Sequence, residues 1–62
     1  MNAAALIPAR YALTHPSLRK SQVPEFSVFV KWVRAEFGVV PGERALIEAR
    51  CLLVNLAEDD RP

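Results

Sequence analysis

The clearest hydrophobic pattern in the chain lies in residues 24–38, where apolar positions recur with the period of an α-helix. At about 100° per residue they form two separate faces of this helix rather than one. Val28, Trp32 and Ala35 make the smaller face, which lies nearly opposite the larger one. A surface helix needs only one apolar face, so the second predicts either a twisted core or a binding partner. The larger, core-facing stripe contains Phe26, Phe29, Val30, Val33 and Phe37.

Local signals predict where this first helix begins and ends. Pro24 suits the first helical position, where the missing N–H would have no helical acceptor in any case. Glu25 in the first turn suits the positive end of the helix dipole. Gly38 is expected to stop the helix, because glycine readily adopts the left-handed conformation found just after helix ends.

A second helix is predicted over residues 42–58, after the short link Val39–Gly42. Besides its core-facing arc, it carries a further apolar patch that comprises Ile47, Cys51 and Val54. A link of about four residues predicts that the two helices form an antiparallel or steeply crossed hairpin. The core-facing arc contains Ala45, Leu46, Ala49, Leu52, Leu53, Leu56 and Ala57.

Residues 1–23 are predicted to form an N-terminal extended arm. Leu6–Thr14 mixes branched and aromatic residues and favours an extended segment or a short β-strand, with Pro8 restricting it to an edge. In a strand, Tyr11 and Leu13 would lie on one face. The predicted fold is therefore mostly α, with this arm followed by a two-helix hairpin.

The length of the chain bounds its stability. Residues 59–62 are expected to form a tail. A domain of 62 residues buries only about 60% of its unfolded surface and usually needs a further source of stability, such as a disulfide, a bound metal or oligomerisation. One cysteine cannot form an internal disulfide, and one histidine with one cysteine cannot make a closed four-ligand metal site. With 52% hydrophobic and 24% charged residues, the chain is also too apolar to be disordered. Oligomerisation or a bound partner is therefore the remaining source of additional stability.

Charge is distributed unevenly although the net charge is only +1. Residues 1–24 contain Arg10, Arg19 and Lys20 but no acid, whereas residues 58–60 are all acidic. Such a distribution either steers association or reflects two solvated ends.

The sequence predicts a cytoplasmic protein without a membrane segment. No apolar run approaches the roughly 20 residues that span a bilayer. The N-terminal stretch lacks the basic start and long apolar core of a signal peptide. A lone free cysteine is ordinary in the cytoplasm.

No residue pattern points to an active site, a metal, a cofactor or a small-molecule substrate. His15 has no nucleophile or carboxylate at a known motif spacing and is expected to satisfy its ring nitrogens locally. Cys51 is expected to act as a small buried hydrophobe, with a reactive or intermolecular thiol as the alternative. The sequence therefore does not predict an enzyme.

Residues 7–37 resemble the C-terminal end of the effector-binding domain of LysR-type transcriptional regulators. Many members close with a strand, a His-Pro-x-Leu-Arg turn and an amphipathic helix; here the turn is His15–Arg19. The chain has no winged helix-turn-helix and no first lobe, so DNA reading and effector binding do not carry over. The resemblance implies a strand and a helix that normally pack on a larger sheet.

A fainter resemblance is to ribbon-helix-helix DNA-binding proteins and related antitoxins. Val23–Glu25, Gly38 and Gly42–Cys51 fit their pattern of a strand, a Pro-Glu helix start, a turn and a second helix. Leu18–Val23 does not alternate as the DNA-reading strand of that class does. This alternative is a dimeric regulator whose nucleic-acid-binding residues are Arg10, Arg19 and Lys20.

The leading hypothesis is a small non-enzymatic protein-protein interaction module, such as an inhibitor, adaptor or accessory subunit. Its apolar surface exceeds what two helices can bury, which favours a partner protein or a second copy of the chain. Trp32 is the strongest single candidate, because tryptophan is enriched at binding hot spots. The predicted partner-binding residues are Val28, Trp32, Ala35, Ile47, Cys51 and Val54.

Overall fold

Three α-helices make up most of residues 3–60, which are the residues that the computed structural model describes. Helix α1 spans Ala3–Thr14, α2 spans Phe26–Phe37 and α3 spans Glu43–Leu56. A single 3-10 turn, Lys20–Gln22, lies between α1 and α2. The predicted, mostly α class is confirmed, and no strand occurs in this part of the chain apart from one isolated bridge.

Residues 3–14 are helical, so the predicted extended arm or short strand is wrong there, and residues 1–2 lie outside the described part of the chain. Tyr11 is buried at 7% exposure while Leu13 is 80% exposed, whereas a strand would have placed both on one face. Ile7 and Tyr11 are one helical turn apart and both enter the core. Pro8 is tolerated in the helix because its ring is fully buried, and this packing offsets the hydrogen bond that proline cannot donate. Contacts in the core therefore override the weak local preference of this segment for an extended backbone.

Helix α2 lies where the pattern predicts it, although it begins at Phe26 rather than Pro24. Glu25 has extended backbone angles and is the N-cap, and its carbonyl accepts the N–H of Phe29 at 2.8 Å. Gly38 ends the helix as predicted, with φ of 77° and its N–H bonded to the carbonyl of Arg34 at 3.0 Å.

Helix α3 is slightly shorter than predicted and buries a narrower face. Leu46, Ala49 and Leu53 are buried, as the periodicity indicated. Leu52 and Leu56, which were assigned to the same arc, are 36% and 60% exposed. They lie at the edge of the arc, which remains open to solvent.

Helix α3 packs mainly against α1, and its backbone approaches α2 at fewer positions. The predicted two-helix hairpin is thus only part of the fold, because a third helix takes the place beside α3. Phe29 and Val33 carry α2 into the shared core. The buried core comprises Ile7, Tyr11, Leu18, Phe29, Val33, Leu46, Ala49, Leu53 and Ala57.

A set of hydrogen bonds, here named the terminal clasp, joins residues 18–21 to residues 54–60. Lys20 N–H donates to the carbonyl of Glu58 at 2.9 Å, and Glu58 N–H donates to the carbonyl of Leu18 at 2.8 Å. Ser21 donates its backbone N–H and its hydroxyl to the two carboxylate oxygens of Asp60, at 2.9 and 2.7 Å. The predicted tail at 59–62 is therefore attached as far as residue 60, and residues 61–62 lie outside the described part of the chain.

Candidate interaction surfaces

The three predicted binding residues of α3 lie together on one surface. Ile47 is 53% exposed, Cys51 is exposed and Val54 is half-buried. They line an open, mainly apolar recess of about 260 Å³, here named the α3 recess. Cys51 is therefore not the buried hydrophobe that was expected. The remaining lining residues are Phe26, Arg50 and Asn55.

The start of α2 forms the other wall of the α3 recess. Phe26 is half-buried against the core and faces the recess from the first turn of α2. Arg50 fixes this arrangement, because its Nε donates to the carbonyl oxygen of Pro24 at 2.9 Å. The guanidinium thus ties α3 to the segment that leads into α2.

The three predicted binding residues of α2 do not line the α3 recess. Trp32 is half-buried, and its ring makes an edge contact with Tyr11 at a centroid distance of 4.8 Å and with Phe37 at 6.0 Å. Val28, at 53%, and Ala35 are exposed. Helix α1, which was not predicted, therefore covers part of the tryptophan.

The three basic residues of the DNA-binding alternative each have a partner within the chain. Arg10 Nε lies 3.6 Å from a carboxylate oxygen of Glu36, and its guanidinium lies 5.8 Å from the ring centroid of Phe37. Arg19 Nη1 donates to the carbonyl oxygen of Asp59 at 2.9 Å, and Lys20 also bonds a carbonyl. The strand of a ribbon-helix-helix protein is absent from residues 18–23, which form a 3-10 turn and an isolated bridge.

The hydrogen bonds and ring contact that the structure describes for the His15 side chain are local. Its ring stacks on Tyr11 with the centroids 4.0 Å apart, and its Nδ1 lies 3.0 Å from the carbonyl oxygen of the same residue. The hydroxyl of Thr14 lies 2.9 Å from Nδ1. Within residues 3–60, no group of three His, Cys, Asp or Glu side chains is placed to hold a metal ion.

Two further apolar surfaces lie on α1 and were missed because this segment was predicted to be extended. The first, named the linker groove, encloses about 150 Å³ between Leu6–Ile7, two residues of α2 and the linker Val39–Pro41. The α2 residues are Val33 and Phe37. The second, named the outer stripe, consists of Leu6, Ala9 and Leu13. The spacing of these three residues by three and four positions is the signal that would have revealed it.

Within residues 3–60 the fold defines a small three-helix protein, and its α3 recess and linker groove are lined mainly by hydrocarbon. None of the helices described between residues 3 and 60 is long and apolar enough to cross a membrane. No protein-family model, curated protein or solved structure matches the chain. The resemblances to LysR-type regulators and to ribbon-helix-helix proteins therefore stay predictions.

Proposed function

We propose that this protein is a small non-enzymatic interaction module, such as an inhibitor, adaptor or accessory subunit, which binds a partner protein in the α3 recess. The observation that carries the proposal is the meeting of Ile47, Cys51 and Val54 with Phe26 around one open apolar hollow. A chain of 62 residues can bury only a small apolar core. Apolar side chains that remain exposed around such a hollow therefore favour binding of a partner protein there.

The chemistry of the recess favours an amphipathic helix with an acidic flank as the bound segment. Apolar side chains at helical spacing fill such hollows in helix-in-groove recognition. Arg50 lines one side, and a guanidinium has five N–H donors, of which Nε is bonded to Pro24. A carboxylate on the partner would pair with the terminal nitrogens of this arginine.

We place this function in the cytoplasm. Cys51 is a free, exposed thiol, which is ordinary in a reducing compartment. The binding needs neither a cofactor nor a small-molecule substrate, since apolar contact and one charge pair supply the recognition.

The experiment is a pull-down from host lysate with tagged protein, run with and without nuclease, on three chains: wild type, Ile47→Asp and Val28→Asp. The two substituted residues are both β-branched and both 53% exposed, so each variant places one charge at an equally open position. Ile47 belongs to the α3 recess, and Val28 to the apolar face of α2. The recovered partner is then purified, and its affinity for each chain is measured by calorimetry.

We expect the partner to survive nuclease treatment and to bind Ile47→Asp at least about 30-fold more weakly, which corresponds to a hot-spot loss of about 2 kcal/mol. Val28→Asp should bind as the wild type does. Loss of binding in Val28→Asp alone would overturn the recess as the site and favour the α2 face. Recovery that collapses on nuclease treatment would overturn the module and favour the DNA-binding alternative.

A further inference from the structure

Two cationic side chains are held where the α3 recess meets the connection between α1 and α2. The Nε of Arg50 donates to the carbonyl oxygen of Pro24 at 2.9 Å. The ammonium group of Lys20 donates to the carbonyl oxygen of Val54 at 2.8 Å. Arg50 and Val54 both line the recess. One cation therefore belongs to the wall of the recess, and the other is bonded to it.

The two cations are anchored about one helical turn apart. Segment 20–24 runs along α3 in the opposite direction, because Lys20 contacts Val54 and Pro24 contacts Arg50. Four residues of an α-helix rise about 6 Å along its axis. Lys20 and Arg50, here named the cationic edge, therefore present two positive charges along one border of the recess.

The cationic edge has no carboxylate partner within residues 3–60. The one ion pair described there joins Arg10 to Glu36, on α1 and α2. The acids at 58–60 belong to the terminal clasp, and Glu25 directly precedes α2, yet none of them lies at ion-pair distance from either cation. Unpaired cations beside an apolar hollow favour a ligand that carries matching anionic groups.

Both cations keep hydrogen-bond donors for such a ligand. A guanidinium has five N–H donors, and the two terminal nitrogens of Arg50 form no hydrogen bond with the described residues. An ammonium has three donors, of which Lys20 uses one on Val54. Arg50 is half-buried and Lys20 is exposed. Arg50 can therefore make the stronger, bidentate contact, and Lys20 a contact that solvent screens.

We propose that the α3 recess recognises its partner through two carboxylates one helical turn apart, one on Arg50 and one on Lys20, next to the apolar residues that fill the hollow. This inference rests on the proposed function, to which it adds a second charge contact and a fixed spacing. Acidic residues at positions i and i+4 of a helix are neighbours, with Cβ atoms about 5–6 Å apart. One turn of a partner helix thus matches the spacing of the cationic edge.

The terminal clasp positions one of the two charges. The backbone N–H of Lys20 is bonded to the carbonyl of Glu58 at 2.9 Å, and Ser21 makes two hydrogen bonds to Asp60. The side chain of Lys20 is held in turn by its bond to Val54. A charge that is already held loses less conformational entropy when a partner binds. The clasp therefore favours partners that place an acid at this point.

Two synthetic hydrocarbon-stapled helices test the proposal by NMR titration of the ¹⁵N-labelled full chain. Both carry leucines at the i, i+3 and i+7 spacing of helix-in-groove binding. The acidic peptide has two glutamates at i and i+4 beside the leucines, and the neutral peptide has glutamines in their places. Amide shifts of Ile47, Cys51 and Val54 locate a peptide bound in the recess. We expect the acidic peptide to bind about fivefold more tightly at low salt, and this ratio to approach one in about 1 M salt.

Substitution of the cations separates charge from shape. Lys20→Met and Arg50→Met should each lower the ratio of the two affinities by about twofold, because each removes one charge contact. A purely structural effect would weaken both peptides equally and leave the ratio unchanged. Lys31→Met, which removes an exposed lysine from α2, is the matched control and should keep the full ratio.

The outcomes distinguish this inference from the proposed function. Equal affinities of the two peptides for the recess would overturn the role of the cationic edge and leave the recess as the site. Absence of recess shifts with the acidic peptide would overturn the acidic helix as the occupant. Shifts near Lys20 caused by a DNA duplex, but by neither peptide, would assign the cations to nucleic acid. The proposed function fails separately, since it requires that Ile47→Asp lose the lysate partner.

Discussion

The ammonium group of Lys20 donates a hydrogen bond to the carbonyl oxygen of Val54, 2.8 Å away and 34 residues later in the chain. In a longer helix this carbonyl would accept the N–H of Glu58. That N–H donates instead to the carbonyl of Leu18, at 2.8 Å. Lys20 therefore takes the place of the missing helical donor and brings a positive charge to the negative end of the α3 dipole.

We predict that Lys20→Met lowers the free energy of unfolding by about 1 kcal/mol, because it removes the hydrogen bond to Val54 and the favourable charge but keeps the apolar stem. The measurement is urea denaturation at neutral pH. Lys31→Met is the matched control: Lys31 is exposed on α2, and its substitution should change stability by less than about 0.5 kcal/mol. Equal effects of the two substitutions would show that the hydrogen bond from Lys20 to Val54 contributes nothing measurable to stability.

Trp32 is predicted to stabilise the fold through its contact with Tyr11. Trp32→Ala should lower the free energy of unfolding by about 2–4 kcal/mol, and Trp32→Phe, which keeps a ring, by about 1 kcal/mol. Urea denaturation followed by far-UV circular dichroism gives both values. Val28→Ala, on the same face of α2 but exposed, should cost less than about 0.5 kcal/mol. If Trp32→Ala leaves stability unchanged and weakens partner binding, Trp32 belongs to an interface, as the sequence alone favoured.

Burial raises the pKa of the Tyr11 phenol above its ordinary value of 10.0. The unfolded chain therefore loses this proton at a lower pH than the folded chain does. The contribution of Tyr11 to stability is complete below about pH 10 and declines as the pH rises above that value. Because Tyr11 is the only tyrosine, absorbance at the phenolate band follows its titration alone, and we expect a midpoint above 10 in the folded protein.

Tyr11→Phe is the control for this pH dependence. It removes the titrating group but keeps the ring that stacks on His15 and meets Trp32. The difference in melting temperature between wild type and variant should change above pH 10 and stay constant below it. A constant difference through pH 11 would contradict the raised pKa.

The two glycines should respond differently to alanine. Gly38 has a φ of 77°, so Gly38→Ala forces a side chain into the left-handed region and should cost about 1 kcal/mol. Gly42 has a φ of −59°, which alanine adopts freely, and Gly42→Ala should change stability by no more than about 0.5 kcal/mol. Apart from the glycine itself and its two chain neighbours, no heavy atom lies within 4 Å of an added Cβ at either position, so urea denaturation of the two variants compares backbone strain without clashes against the rest of the fold.

Helices α2 and α3 follow from the sequence, because their signals are local. The spacing of Phe29 and Val33 marks a buried face, and Gly38 and Pro41 interrupt the helical backbone whatever surrounds them. The grouping of Ile47, Cys51 and Val54 also follows from helical spacing alone. That Phe26 completes the recess does not, because this contact depends on how α2 sits against α3.

The tertiary structure decided the state of the N-terminal segment. A 12-residue helix with an internal proline is marginal on its own, and the residue types of Leu6–Thr14 favoured an extended segment. Burial of Ile7, Pro8 and Tyr11 against the other helices settles the balance in favour of helix. This outcome also covers Trp32 and exposes the outer stripe. The cover over Trp32 depends on contacts between residues far apart in the chain, which no local pattern encodes, whereas the outer stripe follows from helical spacing once the segment is a helix.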